Sequence, residues 1–498
     1  MAKFSRTAVN PRSVPVPHAI ARRQHLLLVA VLVLLAAALP LAGAGAADPS
    51  APVGEPSISY IAGAYVDGAA TPSTAVEPTG APLVVRATRP GGTAGEPTIG
   101  IQKDGTAYYA ALQGTTKILR SRDNGLTWTD VSPKIAGVPV PPTTLDPYVY
   151  VDEETDRIFN IELSVACSTV SQSSDDGATW ISNPLACGNP VNDHQTVITA
   201  NPPAPLQAVG YPNVVYYCFN RVADASCSRS LDGGVQFSPA GAPSYPGYEV
   251  GEQYNKFGVA GLCGGLHGHM VSDAAGRLFI PKVHCGIPSL AMSADGGTTW
   301  TRTLVNTDLV GGIAHVGEHS SVAVDDAGNV YYLWYEDETQ KAWLAVSRNR
   351  GATFGAPMMV APPGVEQANL MTLVAGAEGR IAMTFPGSRS GDFDDDLRPW
   401  DSWVITSTNA LDATPTFTAT TANPPSDPIH RGDCTGRCGA MLDFLDIVVS
   451  PLDGMVWATA VDNCTNQFAC NTEEPQTNPS RGNEAVVIRQ IGGDRLRG

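Results

Sequence analysis

Short runs of alternating apolar and polar residues recur along the chain, each followed by a turn and a second apolar run. The first unit has the alternating run Glu96-Pro-Thr-Ile-Gly-Ile101, the turn Lys103-Asp-Gly105 and the run Ala107-Tyr-Tyr-Ala110. Alternation with a period of two is typical of a strand with one buried face, and Asp beside Gly is typical of a turn. The pattern predicts β-hairpins and an all-β fold.

An octapeptide of the type Ser-X-Asp-X-Gly-X-Thr-Trp closes five of these units. Its first residues lie 52, 57, 63 and 54 positions apart. The Asp at its third position can accept hydrogen bonds from turn amides, the Gly at its fifth can adopt a positive φ, and the aromatic residue can pack below the turn. We therefore expect its aspartates to be structural. The five copies are Ser121–Trp128, Ser173–Trp180, Ser230–Phe237, Ser293–Trp300 and Ser347–Phe354.

The octapeptide resembles the Asp box, or BNR repeat, of the sialidase superfamily. The resemblance implies a single β-propeller, in which small sheets surround a channel. Two further units, Asn369–Phe417 and Asp443–Ile491, have the strand pattern without a good octapeptide, which makes seven blades the expected number. Six blades are the alternative if the last unit is a cap. We place the propeller at residues 91–492, an extended linker at 47–90 and a tail at 493–498.

Residues 1–46 are predicted to be a cleaved signal peptide, so the protein is expected to be secreted. Arg22 and Arg23 precede an apolar run from Leu26 to Leu41, and small residues follow. An uncleaved membrane anchor is the alternative. All ten cysteines follow residue 160, and an even number in an exported chain suggests disulfides rather than zinc. Local spacing suggests the pairs Cys167–Cys187, Cys218–Cys227, Cys263–Cys285, Cys434–Cys438 and Cys464–Cys470.

Acidic residues dominate the chain after the signal segment. Residues 47–498 contain 26 Lys and Arg against 48 Asp and Glu. That balance opposes binding to nucleic acid or to anionic lipid. We expect a monomer whose partner is a glycan or glycoconjugate.

The innermost strand of each blade lines the channel of a propeller, so residues at the start of these strands are predicted to converge. Alignment of the units places titratable residues there, where either water-filled packing, a glycosidase site or a metal site would use them. The catalytic candidates are Asp193, His194, Glu318, Glu96 and Asp146. The binding candidates are His267, His269, His319, Asn369 and Asp443.

Two further features lie outside this predicted ring. The loop with Asp392, Asp394 and Asp396 is either a solvated acidic loop or a site for Ca²⁺ or another divalent cation, since hard cations prefer oxygen ligands. Trp400 is either a platform for a sugar ring or part of a blade core. We expect no required cofactor.

The resemblance to sialidases implies three arginines for a substrate carboxylate, a Tyr nucleophile with a Glu partner, and an Asp acid–base. The chain has no Arg-Ile-Pro motif of the kind that sialidases carry early in the first blade. Two functions are consistent with these residues. One is a sialidase-like, exo-acting glycoside hydrolase, and the other is a non-catalytic propeller that binds a glycan, a protein or a metal ion.

Overall fold

The described part of the chain consists of strands and contains no helix. It lies within one compact unit, Gly54–Gly498, and the predicted signal peptide falls outside it. The all-β class is confirmed. The computed structural model describes residues 58–67, 82–164, 167–184, 186, 192–221, 224–249, 261–263, 265–306, 316–336, 340–392, 394–395, 397–434, 438, 441–464 and 483–498.

Three strands precede the first repeat unit, and each later unit forms one sheet. The N-terminal strands are β1 (Ser59–Ala62), β2 (Ala64–Asp67) and β3 (Leu83–Thr88). Sheet one contains β4 (Thr98–Ile101), β5 (Ala107–Ala110), β6 (Ile118–Ser121) and β7 (Thr129–Asp130). A small hairpin follows, made of β8 (Lys134–Ile135) and β9 (Val138–Pro139).

Sheets two, three and four repeat the same antiparallel order. Sheet two contains β10 (Pro147–Val151), β11 (Ile158–Ser164), β12 (Cys167–Ser173) and β13 (Ile181–Asn183). Sheet three contains β14 (Asp193–Ala200), β15 (Val214–Asn220), β16 (Ala225–Ser230) and β17 (Ser238–Pro239). A hairpin of β18 (Tyr248–Glu249) and β19 (Gly261–Leu262) precedes sheet four. Sheet four contains β20 (Val271–Ser272), β21 (Leu278–His284), β22 (Ile287–Ser293) and β23 (Thr301–Leu304).

Sheet five is regular, whereas sheets six and seven also take in N-terminal strands. Sheet five contains β24 (Val316–Val324), β25 (Val330–Glu336), β26 (Ala342–Ser347) and β27 (Met358–Met359). Sheet six contains β1 with β28 (Gln367–Ala368), β29 (Thr372–Ala375), β30 (Ile381–Ser388), β31 (Pro399–Ser407), β32 (Thr416–Thr421) and β33 (His430–Arg431). Sheet seven contains β2 and β3 with β34 (Ile447–Val449), β35 (Val456–Asp462) and β36 (Glu484–Gly493).

The seven sheets are arranged in a closed ring, which is the arrangement of a β-propeller. Their innermost strands contact one another in the order β4, β10, β14, β20, β24, β29 and β34, and β34 contacts β4 again. The ring is closed by pairing between distant parts of the chain, because β3 pairs antiparallel with β36 and β1 pairs parallel with β32. The inner strands therefore all begin at one end of a central channel.

The five octapeptides share one turn geometry at the outer side of their sheets. In the second copy, the Ser173 hydroxyl donates to Asp175 at 2.8 Å and accepts from the Gly177 amide at 2.9 Å. Asp175 also accepts from the amide of Thr179 at 2.8 Å. These aspartates terminate hairpins and do not line the channel.

Disulfides join three of the five pairs suggested by spacing. Cys218–Cys227, Cys263–Cys285 and Cys434–Cys438 are bonded, so these pairings are confirmed. The other two pairs each include a cysteine outside the described residues. In the part of the chain that the structure describes, no helix is long and apolar enough to span a membrane.

Candidate functional site

Four carboxyl groups from neighbouring sheets meet where the inner strands begin. Glu96 immediately precedes the start of sheet one, Asp146 precedes β10, Asp193 begins β14, and Asp443 lies just before β34. Asp146 shares a side-chain hydrogen bond with Glu96 on one side and with Asp193 on the other. The amide of Asp443 donates to Glu96 Oε1 at 3.2 Å. The alignment of the repeat units thus brought together residues that are far apart in sequence.

The carboxyl groups of this row are buried to different extents, and their pKa values differ accordingly. Burial raises the pKa of Glu96 well above its usual value, and the nearby charges of Asp146 and Asp443 add to the shift. Burial also raises the pKa of Asp146 to about 6, although the hydrogen bond from Glu96 opposes the shift. Asp193 is exposed. A buried, protonated end therefore leads through Asp146 to the exposed carboxyl group of Asp193.

Glu162 is a fifth carboxyl group beside this row, and it was missed at the level of sequence. It lies on the second strand of sheet two, opposite Pro147 in the register, and is fully buried. Burial raises its pKa to about 8, and the neighbours Thr144 and Asn160 oppose that shift only in part. An acidic residue inside the apolar strand Ile158–Ser164 was the available signal.

Two histidines, His194 and His269, pack against Phe444, and a third, His267, packs against His194. The ring centre of Phe444 lies 5.1 Å from that of His194 and 4.6 Å from that of His269. The rings of His194 and His267 are 5.9 Å apart. Burial lowers the pKa of both His194 and His267, so both imidazoles are neutral near pH 7. His269 Nδ1 lies 3.6 Å from Asp446 Oδ1 and joins sheet four to sheet seven.

The remaining ring candidates have different positions. Asn369 is buried, accepts from the Leu370 amide at 2.7 Å and donates to the Cys434 carbonyl, so it joins the segment after β28 to Cys434. Glu318 and His319 lie on β24, within a register irregularity between Val316 and Ser320. Their side chains are outside the described part of the structure.

Trp400 lies in a blade core. Its side chain is 1% exposed and its indole nitrogen donates to the Gly432 carbonyl at 2.8 Å. Neither ring face is open to a sugar in this position.

Asp392 and Asp394 lie on an exposed loop, and Asp396 falls outside the described residues. The amide of Asp394 donates to Asp392 Oδ1 at 3.0 Å. Across the described residues, one group of three or more metal-ligating side chains has its ligand atoms within 4.8 Å of one another, namely Cys263, His284 and Cys285. Both cysteines of that group are in a disulfide, and the Ca²⁺ site at the acidic loop stays a prediction.

Two cavities share His269 in their walls. A small cavity of about 20 Å³ touches His194, His269, Asp443 and Phe444 on the side of the ring residues. The central channel has a volume of about 420 Å³ and also reaches His269. The imidazole of His269 therefore lies between the ring site and the channel.

Comparisons with known proteins give distant structural likenesses only. No family model matches the chain, and no curated protein matches it. A protein of unknown function from Dyadobacter fermentans is 16% identical over 82% of this chain and 99% of that one, with a TM-score of 0.41. The NanB sialidase from Streptococcus pneumoniae is 10% identical over 79% of this chain and 68% of that one, with a TM-score of 0.41.

A GH74 xyloglucanase from Xanthomonas campestris is similar to this chain to about the same degree. It is 15% identical over 73% of this chain, which spans 56% of the xyloglucanase, and the TM-score is 0.43. At these identities and TM-scores the likenesses are too distant to assign a function, which has to be argued from the site itself.

Proposed function

We propose that this protein is a secreted glycoside hydrolase in which Asp193 is the acid–base residue. The observation that carries the proposal is the row of carboxyls: exposed Asp193 shares a hydrogen bond with Asp146, whose pKa is raised to about 6, and Asp146 shares another with buried Glu96. Pairs of carboxyl groups with different environments are the usual means by which glycosidases hold a proton ready at neutral pH.

In this mechanism Asp193 contacts the substrate and donates a proton to the leaving glycosidic oxygen. After the glycosidic bond breaks, Asp193 regains a proton from solvent. Asp146 shares a hydrogen bond with Asp193 and Glu96 holds Asp146 in place, so both act as positioning residues. Asp146 and Asp193 are in hydrogen-bond contact, closer than the ~5–10 Å that separates the two opposing carboxyls of a glycosidase. We therefore propose another residue of the predicted ring, Glu318, as the opposing carboxylate, which would take the proton of the attacking water.

The cellular setting supports the same proposal. The N-terminal basic and apolar run favours export, and three disulfides suit an oxidising compartment. A glycan outside the cell is the substrate class we propose, with the protein acting as a monomer.

The test is a hydrolysis screen of the secreted chain on aryl glycosides and polysaccharides that include sialosides and xyloglucan. Asp193→Asn should lower kcat by about 10²-fold or more on any active substrate, because a positioned acid–base residue contributes about that much. Asp146→Asn should keep residual activity and remove the inflection near pH 6 from the pH profile. Glu378→Gln, at an exposed turn position outside the ring, is the matched control and should leave kcat unchanged. Equal activity of the Asp193 variant and the parent would overturn the proposal.

A non-catalytic binding propeller is the second candidate, and the position of Phe444 favours it. This side chain is 6% exposed and packs against Tyr148, His194 and His269, and the cavity that it lines beside His194 and Asp443 has a volume of only about 20 Å³. Saturable binding on a glycan array, with no hydrolysis in the screen, would support this candidate over the first.

A further inference from the structure

The central channel is bordered at one end by a segment that follows the last strand. The channel has a volume of about 420 Å³ and is lined by residues from the innermost strand of all seven sheets. Near the ring site, its lining residue Tyr148 is buried. At the other end Asn201 and Ala274 are exposed, and Arg497 adds its side chain to the wall. The channel is therefore reached from the face opposite Asp193, beside Arg497.

Residues 494–498, which we call the strap, lie against turns of sheets six and seven. Leu496 is fully buried, its amide donates to the Gly454 carbonyl at 2.9 Å, and its carbonyl accepts from the Ala377 amide at 2.8 Å. A Cβ atom at Gly454 would lie 1.6 Å from the Arg497 carbonyl oxygen, so the strap needs a glycine at this turn. The backbone of the strap is thus fixed on both sides.

The side chain of Arg497 extends from this fixed backbone across the mouth of the channel. Its Nη1 lies 2.8 Å from Glu153 Oε2, in the turn between β10 and β11 of sheet two. Its Nη2 lies 3.7 Å from Asp326 Oδ1, in the turn between β24 and β25 of sheet five. Sheets two and five are on opposite sides of the ring, because two sheets separate them in one direction and three in the other. One guanidinium group therefore bridges opposite sides of the mouth.

The contacts of this side chain are weaker than those of the backbone behind it. The side chain of Arg497 is 33% exposed, and those of Glu153 and Asp326 are 53% and 58% exposed. Exposed ion pairs contribute little and are screened by salt. The backbone bonds of Leu496 are buried and do not depend on charge. The Arg497 side chain can therefore leave the mouth while the strap stays in place.

We propose that Arg497 is a gate for the central channel. In the closed state the guanidinium bridges Glu153 and Asp326, as it does in this structure. In the open state the side chain turns into solvent, and small solutes reach the channel wall. A rise in ionic strength weakens both ion pairs and so increases the population of the open state. The gate lies at the opposite end of the channel from Asp193 and does not depend on the hydrolysis proposed above.

Thiol labelling measures access to the channel without any substrate. Val374 lines the channel and is partly exposed, so Val374→Cys places a thiol in the wall. None of the described cysteines is free, and the parent protein gives the background rate. At low salt, N-ethylmaleimide should label Val374→Cys slowly, and it should label the double variant with Arg497→Gln about two- to fivefold faster, the range expected for loss of a weak ion pair. Equal rates in the two variants would overturn the gate.

Ionic strength provides a second comparison. Added salt should speed the labelling of Val374→Cys and should leave the rate of the double variant unchanged. Arg495→Gln removes the same charge from an exposed side chain two residues away, so it is the matched control and should leave labelling slow. Ser238→Cys, at an exposed position on β17, reports the reaction of an accessible thiol and should be labelled equally fast with and without Arg497. A salt dependence that persists in the double variant would contradict the proposal.

Hydrogen exchange identifies the part that moves. The amides of Ala377 and Leu496 should stay protected in Arg497→Gln, because their backbone bonds do not involve the guanidinium. Loss of this protection would show that the whole strap detaches, which would overturn a gate formed by the side chain alone. Val448→Cys, also in the channel wall, replaces Val374→Cys if that variant fails to fold, and the same results are expected of it.

Discussion

Carboxyl groups occur at two distances from the channel of this propeller, and their environments are opposite. At the outer hairpins, hydrogen bonds from Thr179 and Ser173 hold the pKa of Asp175 below its usual value. At the inner ring, burial raises the pKa of Asp146 to about 6 and that of Glu162 to about 8. The outer aspartates complete turns, whereas the inner carboxyls are kept in the form that carries a proton. The acidic residues that stand out most in the repeat, the aspartates of the octapeptides, are therefore the least suited to acid–base catalysis.

The largest expected effect tests the inner side of this comparison. The folded-state pKa of Glu162 is raised to about 8, so its contribution to stability is full below its unfolded pKa and is lost as the pH rises toward 8. In the variant Glu162→Gln this side chain cannot ionise, so its unfolding free energy does not fall with rising pH for this reason. The difference in unfolding free energy between variant and parent should shift by roughly 3–5 kcal/mol in favour of the variant between pH 5 and pH 9.

Urea unfolding of both proteins at several pH values measures this difference. Buried histidines with a lowered pKa, such as His267, make the folded protein less stable as the pH falls. Both proteins contain these histidines, so this effect cancels when the two unfolding free energies are subtracted. Parallel pH curves for the two proteins would show that Glu162 is not held protonated.

A smaller effect tests the outer side. The Ser173 hydroxyl accepts from the buried Gly177 amide at 2.9 Å, so Ser173→Ala should cost about 1–3 kcal/mol of stability. Ser238→Ala, at an exposed position on β17, is the matched control and should change stability by less than about 0.5 kcal/mol. Denaturant midpoints at one pH suffice. Similar losses for the two variants would mean that the hairpin does not depend on this bond.

The smallest effect is expected for the aspartate of the same hairpin. Asn349 occupies the corresponding position of the fifth copy, and its Oδ1 accepts from Ser347 at 2.8 Å and from the Thr353 amide at 2.9 Å. Asp175→Asn should therefore keep the turn and change stability at pH 7 by less than Ser173→Ala. A loss of Tm as large as that of the Ser173 variant would show that the charge itself stabilises the turn.

Most of the fold could be predicted from local patterns in the sequence. Alternation and turn residues mark the hairpins, and spacing identified disulfides such as Cys218–Cys227. Alignment of the repeats also brought Glu96, Asp146 and Asp193 to one place, because equivalent positions in a propeller converge. Equivalent positions of the repeats lie near one another in a propeller, so the proximity of residues that are distant in sequence could be predicted.

Features outside the repeat equivalence were not predictable in this way. Phe444 follows Asp443 in an irregular segment, and nothing in the pattern indicates that its ring packs against His269. Trp400 matched a sugar platform and a blade core equally well in sequence, and burial decided between them.

The pairing of β3 with β36 has a consequence for how the chain folds. The Thr88 hydroxyl donates to the Val487 carbonyl across 399 residues, so these strands meet only after almost the whole domain has been synthesised. Contacts between distant residues form slowly, and an unpaired strand edge attracts other chains meanwhile. We therefore expect completion of sheet seven to be the slow step of assembly and the stage at which a nascent chain is most exposed to aggregation.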